Sequence, residues 1–289
     1  MCEHDDFDEF ARRSGKLTRR QFGAMALGAG LTVMLPRLAN AAETKGAAVE
    51  VKTPDGVADA YFVHPAKGKH PGVLIWPDIF GLRPAFTEMA TRLAESGYAV
   101  LVVNPFYRTK KAPTAPEHAD FNDPATRQSL MTLAGTLNPE TTTTDAKAFV
   151  AFLDEQAAVD KKKKIGTTGY CMGGPMVMRT AATLPSRIGA AATFHGGGLV
   201  TDKPDSPHLL IPQMKAHFLI AIAENDDGKQ PAAKDTLRDA FAQAKLPAEI
   251  EVYAGTMHGW CPTDSQVYNH DQAEKAWGRL LALFGSSLA

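Results

Sequence analysis

The chain has 289 residues, of which 44% are hydrophobic and 22% are charged, and its formal net charge at neutral pH is −1. This composition is typical of a globular protein and excludes a disordered, collagen-like or coiled-coil chain. Because there is no surplus of basic residues, we expect no nucleic-acid partner. Three cysteines are too few for a disulfide scaffold.

The first 41 residues have the order of an export signal. Arg19 and Arg20 precede an uncharged apolar run over residues 22–35, and residues 39–41 supply the small side chains that a signal peptidase accepts. The arginine pair resembles a bacterial twin-arginine signal, which predicts the twin-arginine export machinery as a partner and a periplasmic or otherwise exported protein. The run is short for a bilayer, so we expect no permanent membrane anchor.

Residues 42–289 are predicted to form a single α/β domain. Strands are predicted over 49–52, 60–64, 73–76, 98–103, 164–168, 188–194, 218–223 and 249–253, and helices over 84–96, 144–153, 172–184, 232–244 and 273–284. Strands that alternate with helices predict a mostly parallel sheet that is covered on both faces. Residues 105–122 are expected to be irregular.

A turn between a predicted strand and a predicted helix carries the strongest chemical signal. The sequence Gly-Tyr-Cys-Met-Gly-Gly, residues 169–174, follows an apolar strand directly and opens a helix. This arrangement predicts a nucleophile elbow with Cys171 as the nucleophile, in a strained turn whose neighbours at −2 and +2 must be small. The positive end of the helix would favour a thiolate. The alternative is a buried structural cysteine.

Two later loops supply an acid and a histidine. Asp226 follows the strand predicted over 218–223, and His258 follows the strand predicted over 249–253. The chain order nucleophile, acid, histidine is that of α/β-hydrolases, so we predict Cys171, Asp226 and His258 as the catalytic residues. Asp227 and Glu224 are the alternative acids.

The loop after an early strand, Pro77-Asp78-Ile79-Phe80-Gly81, is predicted to complete the site. The backbone N–H groups of Ile79 and Met172 are candidates for the oxyanion hole. The Asp78 carboxylate is expected to face the thiol and to modulate it. The alternative is an acid that starts a helix.

No pattern in the sequence calls for a metal or a cofactor. There is no HExxH motif, no paired cysteine and histidine spacing and no phosphate-binding glycine loop, so we expect neither. The sequence His-Gly-Gly-Gly at 195–198 has the letters of a lipase oxyanion loop. It follows the nucleophile instead of preceding it, so we predict a pocket wall there.

These motifs resemble the dienelactone hydrolase family, and the resemblance extends from about Val49 to the end of the chain. It implies an α/β-hydrolase fold and a Cys–His–Asp triad that hydrolyses a small-molecule lactone or ester through a thioester. It also implies a carboxylate near the cysteine, where the family usually has glutamate and this chain has Asp78. Of two arginines that bind the substrate carboxylate in this family, Arg108 lies near one position and Pro262 stands at the other.

Five residues are predicted to line the substrate pocket: Trp76, Tyr107, Arg108, His195 and Trp260. A general carboxylesterase, a thioesterase or an acyltransferase of the same fold is an alternative function. A different class is a non-catalytic redox or binding protein, in which Cys171 pairs with Cys261 and loses its reactivity.

Overall fold

A computed structural model describes residues 42–117 and 119–288 of the chain. The predicted export signal, residues 1–41, lies outside these ranges, so its role stays a prediction. Within the described ranges, no helix combines the length and the apolar character needed to span a membrane.

The described residues form one eight-stranded sheet. The strands are β1 (Thr44–Thr53), β2 (Gly56–Pro65), β3 (Gly72–Trp76), β4 (Ala99–Val103), β5 (Ile165–Tyr170), β6 (Ile188–Phe194), β7 (His217–Ala223) and β8 (Ala248–Tyr253). Their order across the sheet is β1-β2-β4-β3-β5-β6-β7-β8. β2 is antiparallel to both of its neighbours, and the pairs from β4 to β8 are parallel. The predicted mostly parallel sheet is therefore confirmed.

Helices cover both faces of this sheet. They are α1 (Pro84–Glu95), α2 (Pro124–Ala134), α3 (Pro139–Glu155), α4 (Gly173–Thr183), α5 (Glu224–Lys229), α6 (Ala233–Gln243) and α7 (His270–Ser287), with a 3₁₀ helix at Pro207–Gln213. In β3, Leu74 packs into the apolar cluster that holds side chains of α3, α4 and α6, whereas Val73 and Ile75 pack into the cluster of α1 and α7. Alternate side chains of a buried strand thus face opposite layers, as the α/β-hydrolase fold requires.

The boundaries differ from the sequence prediction mainly where helices begin with proline. The predicted start of a helix at residue 144 is wrong, because α3 begins at Pro139 and its cap is Asn138, which forms a reciprocal capping box with Thr141. Proline fits the first helical position because its missing N–H has no partner there in any case. The sequence analysis missed α2, which buries only Leu130 and Leu133 and so shows little apolar periodicity.

The topology brings several loops to one edge of the sheet. Because β3, β5, β6, β7 and β8 run parallel, the loops after their carboxyl ends meet at the same edge. Those loops carry Asp78, Cys171, His195, Asp226 and His258. The sheet therefore gathers residues from five distant parts of the chain.

Candidate active site

Cys171 occupies a strained turn between β5 and α4. Its φ is +52°, in the left-handed region that non-glycine residues rarely adopt. A Cβ on Gly169 would lie 2.3 Å from the Gly173 carbonyl oxygen, and a Cβ on Gly173 would lie 2.3 Å from the Trp76 carbonyl oxygen. Only glycine fits at both positions, which is the reason for the small residues on either side of Cys171.

Backbone hydrogen bonds hold this turn against the neighbouring loop. The Cys171 N–H donates to the Phe194 carbonyl at 3.0 Å, and the Cys171 carbonyl accepts from the N–H groups of Gly174 and Gly197. The Cys171 side chain stays partly exposed at the N-terminus of α4. The turn is therefore fixed by its backbone while the Cys171 side chain stays accessible.

His258 joins the cysteine to an acid. Its Nδ1 donates a hydrogen bond to Asp226 Oδ2 at 2.7 Å, and Cys171 lies near enough to the ring to raise its pKa. The side chains of His258 and Asp226 are 26% and 24% exposed. The structure therefore brings the three predicted catalytic residues into one connected chain of contacts.

The groups around His258 determine whether its imidazole is protonated. Burial alone would lower the pKa of His258, but the interaction with nearby Cys171 and the hydrogen bond that the ring donates to Asp226 outweigh it. The pKa of His258 is therefore well above its usual value. The surroundings therefore favour the imidazolium form of His258.

The first turn of α5 holds the histidine loop at three points. The Glu224 carboxylate accepts from the Gly255 N–H at 2.9 Å, the Asn225 side chain accepts from the His258 N–H at 2.8 Å, and Asp226 binds the ring. Asp227, one of the alternative acids, instead pairs with Lys234 at 2.8 Å. The sequence analysis missed Asn225, although it stands between two of the acids that were considered.

The two predicted oxyanion amides lie at adjoining turns. The chain at Gly173 packs directly on the carbonyl groups of Trp76 and Pro77, so Met172 lies close to the loop that contains Ile79. Neither amide N–H donates a hydrogen bond to another of the described residues. Both donors are available for an oxyanion.

Asp78 does not face the thiol as a free carboxylate. Arg83 donates to its two oxygens at 2.7 and 2.9 Å, and the Phe80 N–H donates to Oδ1 at 2.9 Å. Arg83 also donates to both oxygens of Asp264 in the loop after His258. The sequence analysis missed Arg83, whose only signal was its place at the start of α1.

Tyr107 and Arg108 belong to a polar cluster around Asp145 of α3. The Tyr107 hydroxyl donates to Asp145 at 2.8 Å, and Arg108 donates to Asp145 and to Asp55 in the turn between β1 and β2. The Arg108 side chain is 17% exposed and the Asp145 side chain 2%. The Arg108 guanidinium, which was predicted to bind substrate, is therefore already paired with the carboxylates of Asp145 and Asp55.

The remaining predicted pocket residues are buried. Trp76 is 1% exposed and its indole N–H donates to Thr180 at 3.1 Å within the core. Trp260 is fully buried and stacks on Tyr253, with ring centroids 4.8 Å apart. His195 is 1% exposed and contacts the ring of His258. All three side chains are therefore almost fully enclosed by protein and expose little surface to a substrate.

Cys171 and Cys261 are both free thiols. Cys261 is 8% exposed, and burial raises the pKa of its thiol well above the usual value. Such a thiol is a poor partner in disulfide exchange. Among the described residues, no group of three histidine, cysteine or acidic side chains is arranged to hold a metal ion.

The sequence profile of the dienelactone hydrolase family matches residues 58–288. The chain belongs to the dienelactone hydrolase family. Its sheet, its helices on both faces and the chain order of its site agree with this assignment. The protein is therefore an enzyme of the lactone and ester hydrolase class.

Relatives of this dienelactone hydrolase family member are similar over most of their length. A Methylorubrum extorquens protein, named provisionally as a carboxymethylenebutenolidase, is 27% identical over 277 residues, which are 91% of each chain. The carboxymethylenebutenolidase of Rhodococcus opacus is 25% identical over 73% of this chain and 79% of its own. A solved Klebsiella pneumoniae structure, named provisionally as a dienelactone hydrolase, has a TM-score of 0.73 at 21% identity and covers 84% of this chain and 99% of its own. This last likeness concerns the fold alone.

Proposed function

We propose that this enzyme hydrolyses lactones or carboxylic esters through a Cys171–His258–Asp226 triad and a thioester intermediate. The observation that carries the proposal is the position of one imidazole, which is hydrogen-bonded to the carboxylate and lies near the thiol of a strained elbow. A nucleophile, a base and a group that orients the base are the elements of covalent acyl transfer.

The first half of the reaction forms the thioester. The Cys171 thiolate attacks the carbonyl carbon, and the displaced electron pair moves to the carbonyl oxygen, where the N–H groups of Ile79 and Met172 stabilise it. The tetrahedral intermediate then expels an alkoxide or enolate, which takes the proton from the His258 imidazolium. Asp226 keeps Nδ1 of His258 as the donor throughout.

The second half hydrolyses the thioester. Neutral His258 accepts a proton from water as that water attacks the thioester carbonyl. The intermediate collapses, the Cys171 thiolate leaves, and the carboxylic acid is released. The proton that His258 received from water restores the resting imidazolium.

We propose a substrate without a carboxylate of its own. Arg108 is bound by two aspartates, Arg83 is bound by two others, and Pro262 replaces an arginine of the family. Phe80 of the oxyanion loop contacts the ring of Phe121, with centroids 6.4 Å apart, and so presents an aromatic surface there. A neutral aryl or enol ester fits these features better than the carboxylated substrates bound by paired arginines.

The test is a substrate panel with adduct identification. We expect p-nitrophenyl acetate and a neutral enol-lactone to be hydrolysed faster than the charged p-nitrophenyl hemisuccinate, and an acyl group to be found on Cys171 by mass spectrometry after rapid quenching. Cys171→Ala should abolish turnover and keep the fold. If that variant keeps most of its activity, cysteine is not the nucleophile.

The same panel separates the alternative functions. A thioesterase would prefer acyl thioesters over oxygen esters, and an acyltransferase would give a transfer product when an added alcohol competes with water. Faster hydrolysis of the carboxylated substrate would contradict the proposed specificity and leave the triad intact.

We further propose that residues 1–41 direct export by the twin-arginine route to the periplasm. The proposal is supported by the order of the arginine pair, the apolar run and the small residues at 39–41. Lys substitutions at Arg19 and Arg20 should retain the full-length protein in the cytoplasm of a host with this route. Export that is unaffected by both changes would contradict it.

A further inference from the structure

His195 is a buried imidazole that the proposed mechanism does not use. It follows β6 directly, and its side chain is 1% exposed. Neither Nδ1 nor Nε2 has a hydrogen-bond partner among the residues that the structure describes. Because a buried polar group without a partner costs stability, the position must be occupied by histidine for another reason.

The neighbours of His195 suggest that reason. Its ring lies edge-on to the ring of His258, with centroids 5.2 Å apart and planes at 71°. Trp260 and Tyr170 contact it at 6.3 and 6.1 Å. These distances are those of favourable aromatic pairs. The His195 ring therefore packs between the aromatic core and the proposed catalytic imidazole.

The backbone limits which residue can supply that ring. The φ of His195 is +41°, because the chain turns sharply after β6 to pass the elbow. The close approach is visible at Gly174, where a Cβ would lie 2.7 Å from the Cα of Gly196. Among non-glycine residues, asparagine, aspartate and histidine are enriched in this conformation, and bulky side chains are strained. Of these three, only histidine has an aromatic ring.

The ring is also electrically neutral. Burial lowers the pKa of His195 well below its usual value, and the nearby charge of His258 lowers it further. A second imidazolium at this distance would repel the first. A neutral ring can lie beside the imidazolium of His258 without opposing it.

We propose that His195 is a positioning residue whose ring packs against His258 and keeps that imidazole between Asp226 and Cys171. The inference rests on the proposed function, since it requires His258 to act on Cys171. The polar partners of His258 restrain its edge and its backbone. His195 supplies the restraint on one side of the ring, which those hydrogen bonds do not provide.

The decisive variant is His195→Asn, which suits the left-handed backbone but lacks the ring. We expect it to lower kcat about tenfold or more with little change in KM, because a small misplacement of a reacting group is costly. Alkylation of Cys171 by iodoacetamide at pH 6 should slow in parallel, since the thiolate depends on its contact with the imidazolium. His195→Phe restores a ring and should recover most of kcat and of the alkylation rate.

Two controls keep the result interpretable. Lys245→Asn changes an exposed residue that also has a positive φ, of +55°, and should leave kcat unchanged. Thermal unfolding of each variant reports the fold, and if the strained Phe variant does not fold, kcat and alkylation of the Asn variant decide.

A folded Asn variant with the wild-type kcat and alkylation rate would overturn the proposal, because the histidine would then be needed only for its left-handed backbone conformation. A folded Phe variant as slow as the Asn variant would overturn it too. Activity that survives Cys171→Ala would instead contradict the proposed function, and that outcome does not depend on His195.

Discussion

The Asp78 carboxylate lies in a two-point ion pair with Arg83, at 2.7 and 2.9 Å. Arg83 binds Asp264 with its remaining donors and packs over the ring of Phe86 at 4.8 Å. Asp78 precedes Ile79, a proposed oxyanion donor, and Asp264 follows His258 along the chain. One guanidinium therefore connects the loop of the proposed oxyanion hole to the loop of the proposed catalytic histidine.

Arg83→Met should lower both stability and turnover. The Asp78 side chain is 9% exposed, so its charge would be left without a partner, which costs about 3 kcal/mol. We expect kcat to fall about tenfold as the two loops lose their common anchor. Denaturant unfolding and steady-state kinetics measure the two effects. Asp264→Asn removes the more exposed partner and should give a smaller loss in both, so equal losses would contradict this role for Arg83.

Asp226→Asn should move the alkaline limit of activity to lower pH. Cys171 and Asp226 both raise the pKa of His258, so in the wild type the imidazolium persists above the usual pH range. In the Asn variant the Asp226 charge is gone, so the imidazolium loses its proton at a lower pH. We expect kcat to fall by about 10²–10⁴-fold as the tautomer is lost. The difference in unfolding free energy between the wild type and Asp226→Asn should be largest below the usual histidine pKa. It should fade as the pH rises through the raised pKa of His258 in the folded wild type. Asp227→Asn, whose carboxylate pairs with Lys234, should leave the pH profile of kcat/KM unchanged.

Cys171→Ser should be folded but poorly active. A serine hydroxyl is far less acidic than a thiol, and the proposed mechanism needs an anionic nucleophile, so we expect a loss of about 100-fold or more in kcat. Cys261→Ala is the matched control, because that thiol is buried and free. If the control is more active than the wild type without reductant, and reductant removes the difference, the redox alternative is favoured.

Gly173→Ala should disrupt the elbow. The new Cβ would meet the backbone oxygen of Trp76 at 2.3 Å, so the turn must shift, at a cost of about 1–3 kcal/mol. Activity should fall with stability, because Met172 and Cys171 move with the turn. In α7, Gly278 has open space around it, and Gly278→Ala should stabilise the protein by about 1 kcal/mol. Unfolding curves of the two variants should move in opposite directions.

Arg108→Met should destabilise the enzyme without changing its specificity. The buried Asp145 carboxylate would lose its charged partner, which we expect to cost about 3 kcal/mol. KM should not change, because this arginine already binds two aspartates. Arg238→Met breaks an exposed ion pair with Asp235 and should cost less than about 0.5 kcal/mol. A large rise in KM for charged substrates in Arg108→Met would instead indicate that Arg108 binds the substrate.

The sequence by itself determined the architecture and the order of the proposed triad. Apolar runs and helical periodicity are local properties, so the strands and most helices could be located from them. The elbow was also predictable, because its glycines and its place between strand and helix depend on neighbouring residues alone. Parallel topology then brings Cys171, Asp226 and His258 to one edge without any knowledge of side-chain contacts.

Tertiary structure alone decided which side chains are free to act. Arg83 finds Asp264 across 181 positions of the chain, and Arg108 finds Asp145 across 37. Only packing selects Asp226 over Asp227, by turning one carboxylate to His258 and the other to Lys234. The burial of His195 against His258 has the same origin. Such pairings depend on where distant segments come to lie, because hydrogen bonds and ion pairs act over a few ångströms whereas sequence patterns report only neighbours along the chain.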